Sequence, residues 1–232
     1  MPLQAGVQGH DLMRVMYLHG FASSSKSSKA SFFAAKLAPY GIALEAPDLN
    51  EPDFSTLTVT RMLGQVADRL EAGNGPVALI GSSLGGFVAV QAALRHPQRV
   101  ARLVLLAPAL QFADNRMREL GVDLEQWKAS DRVEVFHYGY GRVMPLRYAF
   151  YQDARQYDSF NAHLSQPVQV FQGRQDAAVD PVAVERWCRA RSNVELHLLD
   201  DDHQLLGSVE FIWQQMSRFV ELPESPGLPE LP

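Results

Sequence analysis

One stretch restricts the fold more than any other. Val77-Ala78-Leu79-Ile80 is a short apolar run of the kind that forms a buried strand. Phe87-Val88-Ala89-Val90-Gln91-Ala92-Ala93-Leu94 has the composition of a helix. Between them stands Gly81-Ser82-Ser83-Leu84-Gly85-Gly86, which contains Gly81-x-Ser83-x-Gly85. A serine in so sharp a strand-to-helix turn is forced into a strained conformation that projects its hydroxyl clear of the chain. The positions two before and two after it crowd the turn, so both favour glycine. The helix that follows offers free N–H groups and positive dipole beside that hydroxyl, where an oxyanion would form.

The rest of the chain repeats the strand–helix order around this turn. Residues 12–18 read as a first strand, with His19-Gly20-Phe21 at its C-terminal end, where parallel sheets place their ligands. Gly20 lets the backbone turn, so that the N–H of Phe21 faces a reacting oxygen. His19 is expected to be a structural histidine holding this loop. Residues 23–29 are polar, either a flexible rim of the site or a loop that caps the next helix. Residues 30–40 have helical spacing, stopped by Pro39 and Gly41; residues 42–46 read as a strand, and residues 56–72 as a second helix. The helix after the turn ends at Arg95-His96-Pro97, and residues 100–106 are another apolar strand. Strand and helix in alternation mean a parallel sheet wrapped by right-handed crossovers.

Residues 108–166 break that rhythm and hold close to half of the chain's aromatics. They are expected to form a cap over the C-terminal edge of the sheet, spanning about 110–165, with residues 133–138 as a strand and Gly139-Tyr140-Gly141 as a hairpin turn. Tyr138, Tyr140 and Phe150 are candidates for an aromatic wall around an apolar substrate group; the alternative is that the aromatics only hold the insertion to the body. Residues 167–172 resume the sheet, Asp180-Pro181 opens a helix with Asp180 as N-cap, and residues 194–199 are the last strand. Residues 206–220 form the closing helix. Residues 221–232, with four prolines, are expected to be a disordered tail on one domain of residues 1–220.

Composition narrows the partners. With 47% hydrophobic and 20% charged residues the 232-residue chain is an ordinary globule, and a net charge of −5 argues against nucleic acid or an anionic membrane. There is no apolar run of transmembrane length, and residues 1–10 lack the features of a signal peptide. The single cysteine, Cys188, excludes an internal disulfide and fits a reducing cytoplasm. Consecutive Asp200-Asp201-Asp202-His203 has no second ligand cluster to complete a metal site, so no metal and no cofactor is expected. The oligomeric state is not legible.

Three residues just past strands stand at the same sheet edge, in the order Ser83, Asp176, His203. Acyl hydrolysis needs this set: a serine hydroxyl attacks only when an imidazole takes its proton, and a carboxylate fixes the imidazole tautomer. Backbone N–H groups of Phe21 and Leu84 would take the oxyanion charge. Asp176 is preferred to Asp180 as the acid because Asp180 is already engaged at its helix start.

Leu18-His19-Gly20-Phe21, Gly81-Ser82-Ser83-Leu84-Gly85-Gly86, Gly173-x-x-Asp176 and His203 together resemble the α/β-hydrolase superfamily over about residues 13–220, in particular the small YqiA-like esterases and related acyl-protein thioesterases. The resemblance implies a three-layer α/β-hydrolase fold with a mostly parallel sheet of about six strands, trimmed of the usual leading antiparallel strands. It implies Ser83 as nucleophile, Asp176 as acid and His203 as base. The expected activity is a serine hydrolase cleaving a small-molecule carboxylic ester or thioester. The alternatives are an acyltransferase or C–C bond hydrolase with the same triad, or a catalytically silent binding protein on this fold.

Overall fold

The computed structural model describes residues 13–112 and 122–222. Its centre is a six-stranded sheet in the order β2-β1-β3-β4-β7-β8, with every pairing parallel. The strands are β1 (Arg14–Leu18), β2 (Leu44–Glu45), β3 (Val77–Ser82), β4 (Val100–Leu106), β7 (Val168–Gly173) and β8 (Val194–Leu199). A separate antiparallel hairpin pairs β5 (Val133–His137) with β6 (Arg142–Leu146). The expected three-layer parallel architecture of about six strands is the one observed.

The apolar runs follow from burial on both faces of the sheet. Along β3, Val77 and Leu79 join one core cluster while Ala78 and Ile80 join the other. β1 and β4 divide in the same way, with Met16, Leu18, Leu103 and Leu105 on one side and Val15, Tyr17, Val104 and Leu106 on the other. Successive side chains point to opposite faces, so a strand covered by helices on both must be apolar throughout. One face is covered by helices α1 (Ser28–Leu37) and α7 (Val209–Phe219), through residues such as Phe33 and Ile212. The other face is covered by α2 (Val59–Ala72), α3 (Leu84–Arg95) and α6 (Pro181–Arg189), through residues such as Met62, Phe87 and Trp187. The insertion adds α4 (Leu124–Ser130) and α5 (Ala149–Ala154) to the hairpin, anchored by the buried Trp127, whose Nε1 donates to Leu146 O at 3.0 Å.

Several boundaries differ from those the sequence suggests. The second strand shrinks to two residues at the sheet edge, where β2 pairs only with β1. α2 starts at Val59, because Thr58 accepts from the Arg61 N–H and caps it, while residues 54–56 form a separate 3₁₀ turn. α1 ends in a 3₁₀ turn at Ala38–Tyr40, closed by Gly41 at φ 71°. The closing helix begins at Val209 rather than 206. Residues 1–10 and all but the first two residues of the expected tail lie outside the described residues.

The strand order sets the site. The chain steps from β1 outward to β2, then returns past β1 to β3, so the sheet reverses direction between β1 and β3. The crevice beyond the C-terminal ends of strands at such a switch point is where open α/β sheets bind ligands. His19-Gly20-Phe21 and Ser83 flank that crevice.

Candidate active site

Ser83 sits between β3 and α3 at φ 53°, ψ −116°. This left-handed conformation costs a non-glycine residue about 1–3 kcal/mol, and it persists only where surrounding contacts enforce it. They do so here. The Ser83 N–H donates to Leu106 O on the neighbouring strand at 2.9 Å, and its carbonyl accepts from Gly86 and Ala109. A Cβ at position 81 would come within 2.5 Å of Gly85 O, and one at position 85 within 2.0 Å of Leu18 O. Both contacts are with backbone, which has no room to give. The glycines on either side of the serine are therefore demanded by close approach.

The loops after β7 and β8 bring the other two residues to it. Arg174 N–H donates to Leu199 O at 2.8 Å and Gln175 N–H to Asp201 O at 3.0 Å, so the two loops are laced together. His203 Nε2 then lies 3.1 Å from Ser83 Oγ, and His203 Nδ1 lies 2.9 Å from Asp176 Oδ2. The Asp176 side chain is fully buried and that of His203 is 19% exposed. Asp176 Oδ2 also accepts from Gln172 Nε2 at 2.9 Å, and Oδ1 accepts from the Ala178 and Val179 N–H groups, each at 2.8 Å. Burial works against the charge on Asp176. The bond and positive field from His203, with the donors of Gln172 and Val179, outweigh it and hold the carboxyl below its usual range. Asp180 is elsewhere occupied: its Oδ1 accepts from Val182 N–H at 2.9 Å at the start of α6.

The two candidate oxyanion donors approach the serine from different elements. Leu84 is the first residue of α3, so its N–H has no partner within the helix. Phe21 follows Gly20, whose carbonyl accepts from His19 Nδ1 at 2.9 Å and from Ser23 N–H at 3.3 Å. A trans peptide points its C=O and N–H in opposite directions, so pinning Gly20 O aims the Phe21 N–H away from His19. Gly20 itself packs on the serine, since a Cβ there would lie 3.3 Å from Ser83 Cβ. His19 is 2% exposed, and its Nε2 accepts from Leu49 N–H at 2.9 Å. Both ring nitrogens are thus spent on loop backbone, as a structural histidine's would be.

A cleft of about 1280 Å³ opens onto Ser83 and His203. Trp127, Val135 and Leu146 of the insertion form an apolar wall, and residues 23–29 form a polar one. The same polar stretch caps α1, since the Ser27 hydroxyl accepts from Ala30 N–H. Tyr138 and Tyr140 line this cleft at the hairpin tip, Tyr138 being 79% exposed. Phe150 does not line it: the ring is fully buried, stacked on Phe21 with centroids 5.5 Å apart, and belongs to the core. Among the described residues no group of three or more His, Cys, Asp or Glu is arranged to hold a metal ion. Cys188 is buried in α6, and burial pushes its thiol up to about 12.

The fold and this site can be set beside known proteins. The model of an uncharacterised protein family, UPF0227, matches residues 14–221. The chain belongs to that family. UPF0227 here carries an α/β-hydrolase fold, and the chain superposes on Est1E from Butyrivibrio proteoclasticus with ferulic acid bound, at a TM-score of 0.78 and 20% identity over 90% of this chain and 89% of that one. It is 33% identical over 128 residues to the biotin biosynthesis bifunctional protein BioHC of Teredinibacter turnerae, covering 53% of this chain and 22% of that protein. It is 38% identical over 84 residues to lipase LipV of Mycobacterium tuberculosis, covering 34% of this chain and 32% of that protein. The matches therefore span a third or less of those two relatives.

Two polar residues of this UPF0227 site escape a reading of the sequence. Gln172 is fully buried in β7 and holds the Asp176 carboxylate. A second glutamine after Gln169, at the C-terminal end of a doubly covered strand, is the signal that points to it. Lys29 is 7% exposed and donates to Gln204 O at 2.7 Å, next to His203. Burial pushes its ammonium down to about 8, against the opposing pull of Asp202, Asp201 and Asp176. Its position in a serine-rich stretch gives no sign of this.

Proposed function

We propose that this protein is a cofactor-free serine hydrolase that cleaves a carboxylic ester or thioester through an acyl-enzyme on Ser83. The observation that carries the proposal is the hydrogen-bonded row from Ser83 Oγ through His203 to Asp176, at 3.1 and 2.9 Å, built on a strained turn in a switch-point crevice. In this mechanism His203 Nε2 takes the Ser83 proton as Oγ attacks the acyl carbon. Asp176 holds the Nδ1–H tautomer and stabilises the imidazolium. The Phe21 and Leu84 N–H groups bind the oxyanion, and the collapse of the tetrahedral intermediate expels an alcohol or thiol protonated by His203. Water, activated by the same imidazole, then releases the acid. The carboxylic acid bound in the structurally similar Est1E is of the product class that this chemistry yields.

The test is fluorophosphonate labelling with intact-mass readout, alongside turnover of p-nitrophenyl esters of rising chain length and of an acyl thioester. The wild type gains one adduct, mapped to Ser83, and hydrolyses at least one panel member. Ser83→Ala loses the adduct and about 10⁶ in kcat while keeping its Tm. A wild type that neither labels nor turns over any substrate, or an adduct on Ser82, overturns the assignment.

A further inference from the structure

A second polar cluster lies beside the site, outside the row of Ser83, His203 and Asp176. At its centre is the carboxylate of Asp48, in the loop after β2. Its Oδ1 accepts from the Asn50 N–H at 3.1 Å and from Asn50 Nδ2 at 2.7 Å, and its Oδ2 accepts from Tyr140 Oη at 3.2 Å. Tyr140, at the hairpin tip, stacks on the buried His137 with centroids 4.0 Å apart and planes 9° from parallel. His137 Nδ1 also accepts the Tyr140 N–H at 3.1 Å.

Both arms of this cluster end on the loop that carries Phe21. Asn50 Nδ2 donates to Ser23 O at 2.7 Å, and the Gly139 N–H beside Tyr140 donates to Ala22 O at 3.2 Å. With Gly20 O held by His19, three carbonyls, those of Gly20, Ala22 and Ser23, are fixed within four residues. His19 Nε2 faces Asp48 Oδ1 at 3.3 Å but Leu49 N–H at 2.9 Å. The shorter contact makes that nitrogen an acceptor, so the donors that engage Asp48 are those of Asn50 and Tyr140. Burial alone would raise the Asp48 pKa; the adjacent His19 ring first, then the Asn50 N–H and the Tyr140 hydroxyl, outweigh it and hold the carboxyl down at about 2.

We infer that Asp48 is a positioning residue, whose carboxylate ties the hairpin and the Phe21 loop into one unit and so fixes the direction of the Phe21 N–H. This rests on the reading of that N–H as an oxyanion donor. Removing such a donor outright costs about 10²–10³ in kcat; a donor that is present but misaligned costs less.

The experiment measures kcat, KM, the fluorophosphonate inactivation rate and Tm for wild type, Asp48→Asn, Tyr140→Phe and the double variant. Asp48→Asn is expected to lower kcat and the inactivation rate about tenfold, with KM within about twofold. Tyr140→Phe, which deletes only a hydroxyl from a half-exposed ring, is expected to lower kcat about threefold. The double variant should be no slower than Asp48→Asn, because both act through one carboxylate. Rates that stay at the wild-type value while Tm falls, or losses that multiply in the double variant, overturn the inference. Should Asp48→Asn not fold, Tyr140→Phe decides alone. A wild type without label or turnover overturns the proposed function and this inference together; an active wild type with unchanged variants overturns this inference only.

Discussion

Replacing Asp176 by asparagine exchanges one oxygen for an NH₂ group in a site where four donors meet two oxygens. The Ala178 and Val179 N–H groups face Oδ1, while His203 Nδ1 and Gln172 Nε2 face Oδ2. If the new NH₂ pointed at the two backbone N–H groups, two buried donors would lose their acceptor, at about 1–3 kcal/mol each. The amide therefore keeps its oxygen toward the backbone and turns its NH₂ toward His203. Gln172 can follow, because its Oε1 is buried without a partner and a flip of the amide presents it to the new donor; the flip gives up the Nε2 bond to Gly173 O at 3.1 Å, one bond lost against two in the other orientation. His203 must then accept at Nδ1, which puts its proton on Nε2, facing Ser83 Oγ. An imidazole in that tautomer cannot take the serine proton. The expected loss is about 10⁴ in kcat, equivalent to about 5 kcal/mol of transition-state stabilisation. Steady-state hydrolysis of the best p-nitrophenyl ester measures it, and nitrogen-15 NMR of the His203 ring reads the tautomer directly. A variant with kcat within about tenfold of wild type, or with Nδ1 still protonated, refutes this account. The same variant has a stability signature. The Asp176 pKa is depressed in the folded state, so its contribution is present above the unfolded value of about 3.9 and is lost as pH falls through the lower folded value. The stability gap between wild type and Asp176→Asn should therefore narrow in acid.

Two further outcomes separate structural from chemical roles. Asp180→Ala should cost about 1 kcal/mol, the usual loss of an N-cap, and leave kcat unchanged; paired melting curves and rates check it, and an inactive Asp180→Ala would make that residue the acid. Lys29 has a folded pKa pushed down to about 8 by burial, so between pH 8 and its unfolded value of about 10.4 the unfolded chain binds more protons and stability rises with pH. Urea titrations of wild type and Lys29→Met at pH 8 and pH 10 should show wild type gaining on the variant, and a constant gap would refute the shift.

What could be read from the sequence, and what could not, divides along a physical line. Ser83 and Gly81 are legible because the constraint is local: the crowding partners of Gly81 lie four and five residues away, at Gly85 and Gly86, whereas Gly85 is crowded by the distant Leu18 O. The engagement of Asp180 at its helix start is legible for the same reason, since N-cap chemistry acts over two residues, but it does not by itself set Asp180 apart, because Asp176 Oδ1 likewise accepts from the Ala178 and Val179 N–H groups two and three residues on. The sheet is legible because burial on both faces leaves unbroken apolar runs. Asp48 and Tyr140 stand 92 residues apart, and nothing near either one announces the other. Phe150 is a different failure. Aromatic density over the insertion points equally to a wall and to a core, and only packing divides them. The ring lies against Phe21 and Phe112, with centroids 5.5 and 5.6 Å away, so it supports the Phe21 loop from beneath while Asp48 and Asn50 hold it by hydrogen bonds. The insertion thus contributes to the site in two chemically distinct ways, as apolar floor and as polar tether. Truncating Phe150 would open a cavity under the loop and lower stability together with rate, whereas loss of the Tyr140 hydroxyl leaves that floor intact and disturbs alignment alone.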